Sequence, residues 1–410
     1  MCQTWQFAKH DSIRTSHTHT NYHLHTIPVR TWKPRCDDMA KRKQTETPAE
    51  HPELKHPTTK RAKSLDADTP YQELTNLLDS QKSDRDVATV LHWFRSQDLR
   101  IHDNRALYNA SQTAKDAGAP LICVFLHCPA ELNWHGTSPA RVDFVIENLK
   151  LLKDELNELG IPLAFLDVSE RDEIVPSILK FAKDNGVSHM FANYEYEVDE
   201  LRRDIKLLQA AADGGFNMSL HHDQTVMEPL TLVSGSGKPM KVFTPYHQAW
   251  TSEVASNEEL LDTVSTPSTN AGLPKKSFPK LFDSKLPDVP KEKQFASADE
   301  RNRVRELWPA GHKSGIDRMK KFVENIDDYA ATRSNPAKDS TSRMSAYISA
   351  GVVSVRELLQ LVKERNGSSN FSSAAADKGV YGWVREIVFR ELYRQSKSFL
   401  CGLYNQFRPK

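Results

Sequence analysis

The sequence is poor in cysteine, in glycine fingerprints and in long apolar runs, and each shortage excludes something. Five cysteines occur among 410 residues, at 2, 36, 123, 128 and 401. Their spacing fits neither a disulfide framework nor a CxxC metal site, which points to a reducing compartment. No apolar run approaches the ~18 residues of a membrane-spanning helix, so an integral membrane protein of that kind is excluded. No GxGxxG follows the first apolar run, which argues against ordinary dinucleotide binding. Gly235-Ser236-Gly237-Lys238-Pro239 lacks the first glycine of a phosphate loop and has Pro239 where a magnesium-holding hydroxyl belongs, so it reads as a turn. There is no GxSxG elbow and no HExxH helix. The hydrophobic share of 38% is low for a wholly globular chain, so some stretch is expected to be disordered.

What is present is unevenly arranged. The net charge of +1 hides a basic C-terminal part. Residues 301–410 carry 20 Lys and Arg against 11 Asp and Glu, whereas residues 1–300 carry 35 against 43. A basic region suits a polyanion, although a solvated helix surface has the same composition. Residues 1–85 are rich in His, Thr, Lys and Pro without apolar periodicity, and read as a disordered basic tail. Two basic clusters, Lys41-Arg42-Lys43 and Lys60-Arg61 with Lys63, match a nuclear import signal. Residues 1–35, with Lys9, Arg14, Arg30, Lys33 and Arg35 against only Asp11, are weakly similar to a mitochondrial leader. The expected compartment is therefore the nucleus, with the mitochondrion as a second destination.

From residue 86 to 225 short apolar runs alternate with helical patterns. The runs are Val87–Phe94, Pro120–Cys128, Pro162–Val168 and Ser188–Tyr196, with helices near 104–117, 138–159, 171–186 and 197–212. Ser138 followed by Pro139, and Gly160 at the far end, mark the limits of the second helix. This alternation predicts an α/β domain with a parallel sheet. Residues 226–300 read as a linker. Residues 301–410 read as helical, with Leu358, Leu359 and Val362 at helix spacing and an amphipathic helix over Trp383 to Tyr393. Arg95, Asp98, Arg100 and Asp103 crowd the carboxyl end of the first strand, where α/β sheets place ligands. Ion pairing that braces the strand end is the favoured reading of these four.

The string Leu91 to Asn104, which contains those four residues, resembles the opening of the cryptochrome/photolyase family. Five further stretches resemble that family in order: Trp134-His135-Gly136-Thr137-Ser138-Pro139, Asn193 to Glu200, Lys241 to Tyr246 with Ala249-Trp250, Thr341 to Ser345, and Arg385 to Tyr393. The details look like fungal class I cyclobutane-pyrimidine-dimer photolyases. The resemblance implies a Rossmann-like α/β domain followed by an all-helical FAD-binding domain, and light-driven electron transfer from reduced FAD that splits pyrimidine dimers in damaged DNA. The alternatives are a cryptochrome-like photoreceptor and a non-catalytic fragment.

Residue roles follow from the same resemblance. Thr341, Ser342, Arg343, Met344 and Ser345 match the loop that holds the FAD diphosphate, where hydroxyls and free N–H groups suit phosphate. Tyr329 matches a residue of the flavin cavity, and Arg333 one that faces the DNA backbone. Glu386 matches the carboxyl that hydrogen-bonds the flipped-out dimer, since a base leaving the stack needs its pairing replaced. Trp383 and Arg390, at i−3 and i+4 from Glu386, are expected on its face of the helix. Phe389 stands where the family usually has Trp against the dimer, so its contact is expected to be weakened. His135, Asp199 and Glu200 match contacts of a 5,10-methenyltetrahydrofolate antenna; a carboxylate can accept paired N–H donors of a pterin. The resemblance stops near Gln395, so the helical domain is expected to be truncated, the FAD site incomplete and activity impaired. A monomer without membrane association is expected, and no metal.

Overall fold

The computed structural model describes residues 70–81, 85–134, 136–211, 215–270 and 272–399. The import clusters and His135 lie outside them. In chain order the strands are β1 (Thr89–Phe94), β2 (Leu121–His127), β3 (Leu163–Asp167), β4 (Val187–Asn193) and β5 (Asn217–His221). The helices of ten residues or more are α1 (Pro70–Asp79), α2 (Arg105–Ala117), α3 (Pro139–Glu158), α4 (Ile174–Asp184), α5 (Val198–Ala211), α6 (Phe243–Ser256), α7 (Ala298–Leu307), α8 (His312–Val323), α9 (Val355–Asn366) and α10 (Lys378–Phe399).

All five strands are parallel, in the order β3-β2-β1-β4-β5. β1 is central and every residue of it is buried, which explains its unbroken apolar reading. Its side chains alternate between two cores. Val90 and Phe94 join the cluster that runs on into the helical half through Trp250, Tyr347, Leu358 and Trp383. Leu91 and Trp93 join a second cluster beneath α4 and α5. The start of α3 is as the sequence implies, with Ser138 Oγ accepting from the Arg141 N–H and Pro139 in the first turn. α9 opens with a full capping box between Ser354 and Glu357.

Three expectations need correction. The tail predicted to run to residue 85 ends in a helix: α1 buries Leu74 completely and packs on α5, because Leu74, Leu77 and Leu78 form one apolar stripe. The fourth strand of the sequence reading is followed by a fifth, β5. Residues 226–300 are more than a linker, since α6 buries Tyr246, Trp250 and Val254. The rest of that segment straps the sheet. Asn270 Oδ1 accepts from the Leu121 N–H at 2.8 Å, and Ser284 Oγ accepts from the Phe165 N–H of edge strand β3 at 2.9 Å. The opposite edge, β5, is met by Gln81, whose amide bonds both backbone groups of Met218 at 2.7 Å each.

The charged residues after β1 join the sheet to the helices. Arg95 pairs with Asp204 of α5 at 3.1 Å. Arg100 pairs with Asp223, and Arg356 of α9 reaches Asp223 at 2.8 Å and Asp103 at 2.9 Å. All these side chains are at most 2% exposed. Bracing is thus the observed role of Arg95, Arg100 and Asp103, while Asp98 accepts from the Arg95 N–H and from Asn193 Nδ2.

Candidate functional site

The loop from 338 to 344 is built of small polar residues and leads into the short helix Ser345–Ser349. Arg343 occupies the left-handed region at φ 50°, a conformation uncommon for a side-chain-bearing residue, and pairs with Asp339 at 2.8 Å. Met344 is buried and anchors the loop in the core. Between this loop and α8 lies a cleft of about 650 Å³, lined by Arg318, Lys321, Lys338, Ser340, Thr341 and Ser342. Asp317, Asp328 and Asp339 also reach its wall. The Ser340 hydroxyl oxygen is buried and has no hydrogen-bond partner among the described residues. An orphaned donor beside three cations suits a phosphate-bearing group, so these residues fit the diphosphate of FAD.

α10 carries the other half of the site. Its Trp383 is buried and donates Nε1–H to Ser342 Oγ at 3.1 Å, which ties the helix to the loop. One turn on, Glu386 accepts from Arg333 Nη1 at 2.7 Å. The same Arg333 nitrogen lies 3.3 Å from the Gly382 carbonyl, and the guanidinium sits 5.8 Å from the Tyr329 ring centroid. Tyr329 is buried edge-on against Phe322, and burial raises its hydroxyl pKa. Glu386 remains 42% exposed, so it faces solvent at the mouth of this cluster. α10 lies this close to the turn before Tyr329 because position 379 is glycine. A Cβ there would come within 1.9 Å of the Ile326 carbonyl oxygen.

Two residues expected beside Glu386 are engaged elsewhere. Arg390 makes no contact with Glu386: its guanidinium donates to the Gln224 carbonyl at 2.8 Å, and burial lowers its pKa to about 10. The ring of Phe389 stacks on Phe243 with the planes 3° apart, and on its other side meets Tyr393. The neighbouring segment 224–227 and the family-like stretch 243–250 take up this side of α10. Glu391 is the lock there: fully buried, it accepts from the Val226 and Met227 N–H groups, Trp250 Nε1 and the Tyr246 hydroxyl.

Asp199 and Glu200 open α5 beside a cleft of about 350 Å³ whose walls include Glu131, Glu170, Arg171 and Asp199. Glu200 accepts from Arg171 Nη2 at 2.9 Å, and Arg171 also lies 3.6 Å from Glu131. Arg171 is a member of this site that sequence reasoning missed. It sits in an otherwise ordinary polar turn and carries no motif.

A parallel α/β sheet locked by buried ion pairs to a helical half, with a hydroxyl-lined cleft in that half, defines a two-part protein of Rossmann-like and helical construction. Residues 90–268 match the DNA photolyase family, and the chain is similar to photolyases over most of its length. It is 38% identical over 310 residues to the deoxyribodipyrimidine photo-lyase of Neurospora crassa, covering 74% of this chain and 50% of that one. It is 28% identical to the Escherichia coli protein of the same name, over 75% of this chain and 60% of that one. A mitochondrial deoxyribodipyrimidine photo-lyase of Saccharomyces cerevisiae is 27% identical, over 79% and 60%. The chain thus spans about half to three-fifths of the length of these relatives. A class III photolyase from Agrobacterium tumefaciens shares the fold at a TM-score of 0.59 and 22% identity, over 79% of this chain and 62% of that one. A Synechocystis cryptochrome shares it at 0.57 and 20%, over 76% and 62%.

Proposed function

We propose that the protein is a DNA repair photolyase acting on cyclobutane pyrimidine dimers. The observation that carries the reading is the Trp383–Ser342 hydrogen bond. It joins the loop matched to the flavin phosphates and the helix matched to the lesion, two motifs about forty residues apart in sequence. FAD, when bound, supplies the light-driven electron that opens the dimer. This chain's residues do the rest. Ser340, Thr341 and Ser342 offer hydroxyls to a diphosphate, with Arg318, Lys321 and Lys338 as counter-charge. Tyr329 and Trp383 wall the adjacent space. Glu386 binds a thymine carbonyl or imide at the mouth, and Arg333 must release it to do so, turning toward the DNA backbone. Asp199 and Glu200 bind a folate antenna once Arg171 gives way.

The proposed partner is damaged DNA, met as a monomer, in the nucleus and also in the mitochondrion. The test is photoreactivation. Duplex carrying a single thymine dimer is illuminated with the FAD-supplemented protein, and restored pyrimidine absorbance is followed. Glu386→Gln is expected to lower the rate about tenfold to a hundredfold, the size of one charge-assisted hydrogen bond. Repair that is unchanged in Glu386→Gln and in Ser342→Ala would remove the assignment of this site.

A further inference from the structure

Beside the start of α10 lies a third cavity, of about 150 Å³, that no role above uses. It is bounded by the N-terminal half of α6, the start of α10 and the 372–373 segment, and opens to solvent past the exposed Thr244, Gln248 and Ser373. Beside His247, Thr251 and Tyr381 it presents Arg385, Thr244, Gln248, Ser372 and Ser373, and no carboxylate lines it. The hydroxyls of Thr244, Ser372 and Ser373 have no partner among the described residues, and Arg385 makes no ion pair there. An unpaired guanidinium is usually mobile, but this one is held: its carbon lies 5.5 Å from the centroids of both Phe243 and Phe389, which are themselves stacked. The His247 ring, 7% exposed and edge-on to Tyr381, forms another wall, and its buried Nε2 has no hydrogen-bond partner among the described residues.

We infer that this cavity binds one phosphate group, with Arg385 as its fork and the hydroxyls of Ser372, Ser373 and Thr244 as further donors. The chemistry is one-sided. Every polar side chain named can donate, none is acidic, and the single full charge is positive, which is the complement of a tetrahedral oxyanion. At about 30 Å³ for each water, the space holds such a group and little more, so a whole nucleotide would keep its base outside. A neutral ligand would leave the guanidinium without a counter-charge. The phosphate can come from a nucleic-acid strand or from solution. The inference does not rest on flavin chemistry or dimer repair.

The test is calorimetric titration of the full chain with inorganic phosphate, and separately with a 5′-phosphorylated dinucleotide and its unphosphorylated form. One phosphate-binding component is expected to depend on this cavity, separate from any at the larger cleft. Arg385→Gln and the Ser372→Ala/Ser373→Ala pair are each expected to weaken it about tenfold or more, as loss of charge-assisted bonds does. Arg318→Gln, in the larger cleft, is expected to leave this binding unchanged. Binding of the phosphorylated dinucleotide alone supports the site with a nucleic-acid source. Binding of both ligands supports it with either source. Thermal midpoints without phosphate identify any variant that has lost its fold, and the hydroxyl pair then decides. Absence of binding, or binding that falls with Arg318→Gln and not with the cavity variants, overturns the inference.

Discussion

Asp223 accepts from two guanidiniums and a backbone N–H while fully shielded from water. Burial alone would raise its pKa, but Arg100 and Arg356 outweigh it and lower the value from 3.8 to about 2. A carboxyl whose folded pKa is depressed stabilises the fold above its unfolded pKa, and that contribution is lost as pH falls through the folded value. For this shift it is about 2 kcal/mol. Asp223→Asn is expected to cost about 3–5 kcal/mol at pH 7, because two buried guanidiniums lose their shared counter-charge. The gap between wild type and variant should then narrow as pH falls from 4 to 2. Denaturant unfolding across that range checks this, and a gap independent of pH would contradict it. Asp98 shows the opposite case among the same residues, since burial raises it to about 7 despite the hydrogen bonds it receives.

α10 carries Trp383 and Glu386 of the proposed site, and its seat depends on the missing side chain at Gly379. Gly379→Ala places a methyl against the Ile326 carbonyl, so the helix must lift from the turn that positions Tyr329 and Arg333. The expected outcome is a loss of about 2–3 kcal/mol and, specifically, a broken Arg333–Glu386 pair. Denaturant unfolding reads the first. A double-mutant cycle with Arg333→Ala and Glu386→Ala reads the second, and an undiminished coupling in the Gly379→Ala background would refute it. Elements differ in how plainly they announce themselves. The helix begun by Ser138 and Pro139 is legible because cap and stripe agree. β5 is hard to read because Asn217–His221 is short and half polar, at a sheet edge. α1 is masked by the polar composition around three leucines. Within the site, the helical spacing that grouped Glu386 with Trp383 holds, but Arg390 is long enough to reach a carbonyl on the neighbouring segment. Tertiary partners such as Arg171 and Asp223 leave no local mark, because what selects them lies many residues away.

For the molecule as a whole, the division of charge matters more than its sum. The acidic excess before residue 300 and the basic excess after it orient the protein toward a polyanion through its helical half. Undamaged duplex DNA is expected to bind weakly and with a steep inverse dependence on salt, since phosphate contacts supply the affinity. Dimer-containing duplex is expected to keep an added, salt-insensitive preference, from the lesion contacts proposed for Glu386. Titrations of both duplexes over 50–300 mM salt, ranges of about the size in which counterion release is measured, decide this. A flat salt response would show that the basic residues serve only as a solvated surface.

Gln81 offers its side-chain amide to both backbone groups of Met218, so one residue imitates a sixth strand along the outermost ladder. Arg85 extends the imitation by donating to the Gly215 carbonyl at 3.0 Å. A recombinant fragment begun at residue 86, where strand–helix alternation starts, would omit both residues together with α1. Its outer strand would then present bare N–H and C=O groups to any other copy in solution, a template for edge-to-edge pairing. Dimers or fibres seen with such a fragment would report where the chain was cut, and would carry no information about the quaternary state of the intact protein.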